Sequence, residues 1–504
     1  MPQWPRLVVG CSIALVLAGA TGCATGMRAS SRSIPLPQRL DALLAEPPFD
    51  GVQWGVLVAD AGSGRTLYER NPAVRFVPAS NQKLLVTAAA MGLLGSEYRW
   101  KTPFLARTLP ENGVLEGDLI LVGSGDPSLG EPFFESADDA LGAFVSVLRE
   151  AGVQRIAGAL VLDASAWDST SAPGSWMVED LVATAGATGG PFALSRGELE
   201  IRVIGGLADG DPARVGWSPM GASTFVEAGV LTESQGLGPS LVVDYLPERR
   251  RWRVTGTIPV GQESTRIVPA RDPVRLAVEA LERAMEKGGI VIEGGVRIHW
   301  DRDVPISGSC LSGALRACPE LVLIAERWSP PLPEVTAAIL GPSQNWMTEQ
   351  LVRTLGAEVG SAGSWPEGLR AVRGHLTSAV GVDSFDLRME DGSGLSTKNL
   401  ISPRAVVAIL SYVRSQPWFR TYLAGMAYPG GLDTTLEGRL SGLEGRVFAK
   451  TGTLSNVNSL SGYLLRDDGR EVVFSILSNG SNLPSAAMGN RIDAVVRELA
   501  RVED

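Results

Sequence analysis

Pro78-Ala-Ser-Asn-Gln-Lys-Leu-Leu-Val-Thr-Ala-Ala-Ala90 is the stretch around which the chain is organised. Pro78 and the Ser/Asn pair read as a helix start, and the Leu/Val/Ala run after Lys83 reads as a buried helix body. Three residues make about one helical turn, so Ser80 and Lys83 share a face at the N-terminal end of this helix. That places a hydroxyl nucleophile beside an amine base. The pair alone decides nothing: with five lysines in the chain, roughly 0.4 Ser-x-x-Lys pairs are expected by accident.

Two further motifs give the pair its weight. Ser343-Gln344-Asn345 opens a predicted helix over 341–355, and Lys450-Thr451-Gly452 ends a predicted strand over 445–450. A Lys-(Ser/Thr)-Gly triplet should arise by accident only about 0.1 times with so few lysines. On these three motifs the chain resembles the penicillin-binding, active-site-serine D,D-peptidases and their β-lactamase relatives. Ser80 and Ser343 lie 263 residues apart, far more than in simple β-lactamases. An insertion at that point is similar to the D-alanyl-D-alanine carboxypeptidase/endopeptidase family called penicillin-binding protein 4, or DacB-like (serine peptidase S13). Segments Gly117–Leu129 and Asp391-Gly-Ser-Gly-Leu-Ser396 also look like parts of that family, and the resemblance runs from about residue 35 to about 490. Gln344 departs from its pattern, which more often has an acidic residue there.

The resemblance implies an α+β fold: a catalytic domain of antiparallel sheet flanked by helices, split into 35–100 and 306–504 by a β-rich insertion over 101–305 of two subdomains. It implies a D-alanyl-D-alanine carboxypeptidase, with possible endopeptidase action on peptidoglycan cross-links, acting on stem peptides ending in D-Ala-D-Ala and acylated by β-lactams. Catalytic roles are implied for Ser80, Lys83, Ser343, Asn345 and Lys450. Ser343 relays a proton to the leaving amine, and Asn345 positions the substrate amide and Lys83. Thr451, Gly452 and Thr453 are implied as substrate-binding, with the backbone N–H groups of Ser80 and Thr453 forming the oxyanion hole, and Ser455 extends the anion pocket. A serine hydroxyl needs a base to become a good nucleophile. Holding Lys83 neutral near pH 7 costs roughly 4 to 5 kcal/mol, to be supplied by burial and by repulsion from Lys450. No metal or cofactor is expected. A β-lactamase or esterase of the same fold differs only in deacylation rate, which these motifs do not fix. A non-catalytic wall-binding or β-lactam-sensing protein is disfavoured because all three motifs are intact.

The chain has 504 residues, 44% hydrophobic and 20% charged, with a formal net charge of −10. These values describe a globular protein of about three domains. The acidic balance, with no Lys/Arg run that would form a phosphate-binding stripe, argues against non-specific nucleic-acid binding. Arg6 is followed by a mainly apolar run from Leu7 to Ala20, which suits a signal-peptide core and is short for a membrane span. Ala20-Thr21-Gly22-Cys23 resembles a bacterial lipoprotein signal, with Cys23 as the lipidated residue, although Leu is missing three places earlier. Ordinary cleavage after Ala18-Gly19-Ala20 is the rival reading. Either way the protein is expected to be exported to the periplasm or cell envelope, with a signal over 1–23 and a tether over 24–34. A membrane contact is expected only through that anchor. Cys310 and Cys318 are a candidate disulfide or two free thiols.

Other polar residues attract plainer readings. His299 and His375 have no metal-like neighbours and read as structural or surface groups. Ser393 reads as a turn residue near the site. In the insertion, Trp167, Trp176, Glu179 and Asp180 could contact a diamino-acid side chain of a stem peptide, but ordinary core and surface roles are favoured for them.

Overall fold

The computed structural model describes residues 34–234, 238–307 and 320–501. The expected signal, the tether up to Ser33, Cys23, Cys310 and Cys318 lie outside the described residues.

The two ends of the chain build one antiparallel sheet. Its five strands run in the order Val447–Leu454, Val457–Leu465, Glu471–Asn479, Gln53–Asp60, Thr66–Arg70. N- and C-terminal halves zip together from Gln53 opposite Asn479 to Asp60 opposite Val472. Alternate residues of a strand face opposite sides, and here both sides are apolar. Trp54, Val56, Val58, Leu460, Phe474 and Ile476 pack under helices Leu36–Ala45 and Ser485–Ala500. Ala59, Tyr463, Val473 and Leu477 face the opposite layer of helices.

At the centre of that second layer lies helix Gln82–Leu94, buried continuously from Gln82 to Met91. A helix apolar all round shows no amphipathic stripe and must be enclosed. Helices Leu332–Leu340, Asn345–Glu358, Trp365–Ser378 and Pro403–Arg414 surround it. Each fully buried Leu or Val contributes roughly 1.5 to 3 kcal/mol, so this helix anchors the layer. It stops at Gly95, whose φ of +83° is costly for any residue with a Cβ. The helix expected over 341–355 begins later, at Asn345, and a separate helix, Leu332–Leu340, precedes it. Pro342 has no N–H to continue the ladder, and the chain turns through Gly341–Ser343 with Ser343 at φ +69°.

The insertion contains a second five-stranded sheet, ordered Val296–His299, Leu160–Asp163, Leu119–Val122, Lys101–Ala106, Val322–Trp328. Helices Ala137–Glu150 and Pro273–Lys287 cover it. The first of these lies within the stretch expected to be β-rich. Its signals are a Ser136 cap accepting from the Asp139 nitrogen and an apolar face of Leu141, Phe144, Val145 and Leu148. Two three-stranded sheets, one centred on Glu198–Ile204 and one on Arg251–Pro259, share a smaller core with Phe225 and Trp252. Val322–Trp328 pairs antiparallel with Lys101–Ala106. Val322–Trp328 is therefore part of the insertion's sheet, past the boundary at 305 expected from the sequence.

Candidate active site

Ser80 lies in a 3-10 turn, Ala79–Asn81, directly ahead of the central helix. Ala79 takes a φ of +46°, a left-handed conformation costing an L-residue roughly 1 to 2 kcal/mol. Its neighbours hold it there. Asn81 Nδ2 donates to Lys450 O at 3.0 Å and to Ser459 Oγ at 2.7 Å, and Ser459 Oγ donates to Pro78 O at 2.8 Å. The turn thus hangs on the strands that carry the third motif. Gly452 is where those strands come closest: a Cβ there would sit 2.2 Å from Ser459 Oγ, 2.8 Å from Pro78 O and 2.9 Å from Ser80 N.

Lys83 points back along the same face. Its Nζ lies 2.8 Å from Ser80 Oγ, 2.7 Å from Asn345 Oδ1 and 2.8 Å from Ser393 O. Asn345 is fixed in orientation because its Nδ2 donates to Ala185 O at 2.9 Å, a carbonyl of the insertion. The amide oxygen and the Ser393 carbonyl can only accept. A neutral amine has two N–H groups and one lone pair, so with both N–H groups taken the lone pair is left for the Ser80 hydroxyl. An ammonium would instead donate to all three. Complete burial pushes the Lys83 amine down to about 7, against the opposing pull of the Glu349 and Asp391 carboxylates. Lys450 is also buried and is pushed well below its ordinary value, first by burial and then by repulsion from Lys83. Burial is thus the first cause for both amines, and the repulsion between them shows in Lys450.

The remaining motif residues are placed as follows. Ser343 occupies the turn before helix Asn345–Glu358, two residues from Asn345. Lys450 and Thr451 lie on strand Val447–Leu454; Lys450 Nζ donates to Thr451 O at 3.0 Å and Thr451 Oγ1 to Thr435 Oγ1 at 2.7 Å. Thr453 is exposed on the same strand, and Ser455 is exposed in the turn that follows.

The sequence reading missed two buried acids that shape the site. Glu349 follows Asn345 by one helical turn, and its carboxylate accepts from Ser393 N at 2.7 Å, Gly392 N at 3.0 Å and Trp365 Nε1 at 2.8 Å. Asp391 accepts from Ser396 N at 2.6 Å, Gly394 N at 2.9 Å, Asn399 Nδ2 at 2.7 Å and Trp176 Nε1 at 2.9 Å. Burial, reinforced by Asp391, pushes the Glu349 carboxyl up to about 7. Burial also raises that of Asp391. The one signal available for Glu349 was its spacing of four from Asn345 on a helix buried on nearly every side.

Ser393 is a turn residue whose carbonyl, not its hydroxyl, meets Lys83. Trp176 is spent on Asp391, and Trp167 is buried with its Nε1 donating to Gly123 O at 2.9 Å. Asp180 accepts from Met177 N, and Glu179 is exposed. His299 meets Val304 O, and His375 packs edge-on against Tyr412.

Residues 36–502 match the model of the D-Ala-D-Ala carboxypeptidase 3 (S13) family. A D-alanyl-D-alanine carboxypeptidase from Actinomadura sp. (strain R39) is 32% identical over 498 residues, covering 96% of this chain and 86% of that one. The D-alanyl-D-alanine carboxypeptidase DacB of Haemophilus influenzae is 24% identical over 442 residues, 86% of each chain. The crystal structure of penicillin binding protein 4 (dacB) from the same organism matches with a TM-score of 0.76 at 23% identity, covering 92% of this chain and 99% of that one. The split sheet, the central helix and the insertion are therefore the fold of that protein. With residues 36–502 matched to one family model, the chain belongs to the S13 family of serine-type D-Ala-D-Ala carboxypeptidases.

Proposed function

We propose that the chain is an exported D-alanyl-D-alanine carboxypeptidase that also cleaves peptidoglycan cross-links, working through an acyl-enzyme on Ser80. The observation that carries this reading is the hydrogen-bond pattern of Lys83. Two acceptors, Asn345 Oδ1 and Ser393 O, occupy both N–H groups of its neutral form and leave its lone pair on Ser80 Oγ.

Ser80 gives its proton to Lys83 Nζ as Oγ attacks the carbonyl carbon of the penultimate D-alanine. The developing oxyanion is held by the backbone N–H groups of Ser80 and Thr453. The C–N bond then breaks, and the leaving D-alanine nitrogen takes a proton through Ser343. Lys450 binds the terminal carboxylate with Thr451 and Thr453; among the described residues its amine donates to Thr451 O alone, which leaves N–H groups for that anion. A water, deprotonated by Lys83, hydrolyses the ester and returns the proton to Ser80. In a cross-link the amide cleaved has the same D-configured acyl side, with a longer leaving group. A β-lactam presents a strained amide and a carboxylate at matching positions and acylates Ser80. Support comes from the H. influenzae penicillin binding protein 4, whose structure is also known complexed with a novel β-lactam.

Export rests on the apolar run from Leu7 to Ala20, and a lipid anchor on Cys23. Globomycin-sensitive processing tests the anchor. The mechanism is tested by incubating the chain with labelled benzylpenicillin, mapping the adduct, and assaying D-alanine release from a pentapeptide ending in D-Ala-D-Ala. An adduct on the Ser80 peptide and loss of release in Ser80→Ala are expected. Unchanged release in Ser80→Ala would overturn the mechanism, and rapid penicillin turnover without D-alanine release would make the chain a β-lactamase.

A further inference from the structure

Helix Asn345–Glu358 controls both acceptors of the Lys83 amine, one directly and one at a distance. Asn345 supplies its own Oδ1. One turn later, Glu349 binds the N–H groups of Gly392 and Ser393 and so fixes the two peptide units that lead into the Ser393 carbonyl, whose own unit Asp391 holds through Gly394 N. The loop has no room to adjust. A Cβ on Gly392 would lie 2.4 Å from Val352 Cγ2, and one on Gly394, at φ +86°, would lie 1.9 Å from Ala79 O. The segment is thus clamped between the Glu349 helix and the Ser80 turn. Asp391 ties its other side through four N–H donors.

We propose that Glu349 is a positioning residue for the reaction: it holds the Ser393 carbonyl so that the Lys83 lone pair stays on Ser80, and its negative charge sets the pH at which that lone pair becomes free. The proposal rests on Lys83 acting as the base. The groups that share this buried space are Lys83 on the central helix, Lys450 on its strand, Asp391 on the loop and Arg353 on Glu349's own helix. Arg353 is committed elsewhere, donating to Asp168 Oδ1 at 2.9 Å and to Gly363 O at 3.0 Å. The Glu349 carboxylate favours the Lys83 ammonium and so opposes the push of burial. A neutral group in its place therefore lets Lys83 lose its proton at lower pH. At pH 8, where Lys83 is neutral with or without that charge, a change of charge alone leaves the acylation rate where it is, and a lost aim of the Ser393 carbonyl lowers it.

The chain's five lysines make the test direct. With ¹³C-labelled lysine, the Lys83 Cε resonance, assigned from a Lys83→Arg sample, is titrated in the wild type, Glu349→Gln and Trp365→Phe. Trp365→Phe removes one donor to the carboxylate, so the carboxyl keeps its proton to higher pH and less negative charge faces Lys83, and it reports even where Glu349→Gln does not fold. A fall of the Lys83 midpoint by about one pH unit in Glu349→Gln is expected, with a smaller fall in Trp365→Phe. The rate of acylation by benzylpenicillin at pH 8 is expected to drop at least about tenfold in Glu349→Gln. An unchanged midpoint in the folded variants, or wild-type acylation in Glu349→Gln, would overturn the proposal. A wild-type chain that shows the shift against its variants yet takes no acyl group from either substrate would instead overturn the proposed function.

Discussion

Gly452 backs directly onto the nucleophile: a Cβ on it would stand 2.9 Å from the Ser80 nitrogen and 2.8 Å from Pro78 O. The third motif therefore needs glycine at its end for a steric reason. The strand that carries Lys450 must touch the turn that carries Ser80, and only a residue without a side chain allows it.

Gly452→Ala should consequently push the strand from the turn while the rest of the sheet remains. A displacement of about 1 Å at a reacting centre costs on the order of 100-fold in rate, and overpacking costs roughly 1 to 3 kcal/mol of stability. Removing the Ser459 hydroxyl as well relieves only one of the three close contacts. The Gly452→Ala/Ser459→Ala double variant should therefore stay as slow as the single one, measured as the second-order rate of penicillin acylation. Recovery in the double variant would show that the side chain, not the backbone of the turn, sets the limit.

The pH dependence of acylation follows from Lys83. Its amine is held down to about 7 by burial, and only the neutral form can accept the Ser80 proton. Below that pH, kcat/KM should fall about tenfold per unit, and above it the rate should level off. A rate profile flat from pH 5.5 to 8 would exclude Lys83 as the base. In Lys83→Arg, whose guanidinium stays charged at these pH values, no pH should restore the rate.

The catalytic motifs were legible because each packs its chemistry into three or four adjacent residues. Ser80 and Lys83 needed only helical spacing, and Lys450-Thr451-Gly452 only its rarity. The sheet that joins the chain ends was partly legible, since the runs Leu460–Leu465 and Val472–Leu477 on either side of the Asp467-Asp468-Gly469 turn mark a hairpin. What could not be read is whatever depends on partners far along the chain. Glu349 and Asp391 do their work through backbone N–H groups, two indoles and the Asn399 amide, and no local spacing shows that these groups meet the two acids. The left-handed Ala79 is imposed by Gly394 and the neighbouring strands, not by its own preference. Val322–Trp328 belongs to the insertion only because Lys101–Ala106 offers it a sheet edge.

Asn345→Asp separates geometry from charge at the second motif. The substitution keeps an acceptor beside Lys83 but adds a negative charge and removes the donor to Ala185 O. A carboxylate there favours the ammonium, so the acid limb of kcat/KM should move to higher pH. At pH 7 the rate should fall by about 100-fold, with part of the loss recovered by pH 9. Asn345→Ala should lose as much at pH 7 and recover nothing, because the orientation of the amine is lost. An identical pH profile in the two variants would show that Asn345 does not act through Lys83.

Trp176 comes from the insertion and reaches the catalytic domain through one bond, its Nε1 to Asp391 Oδ2 at 2.9 Å. Trp176→Phe keeps the ring in its buried place and removes that donor from a buried carboxylate. The loss should cost roughly 1 to 3 kcal/mol of stability, seen as a lower urea midpoint. Asp391 retains the Ser396, Gly394 and Asn399 donors, so the loop should persist and the KM for a stem-peptide substrate should stay near the wild-type value. A large rise in KM at unchanged stability would give the indole the other role read from the sequence, contact with the diamino-acid side chain. The geometry argues against that role, because the indole N–H is already committed and only 9% of the residue is exposed.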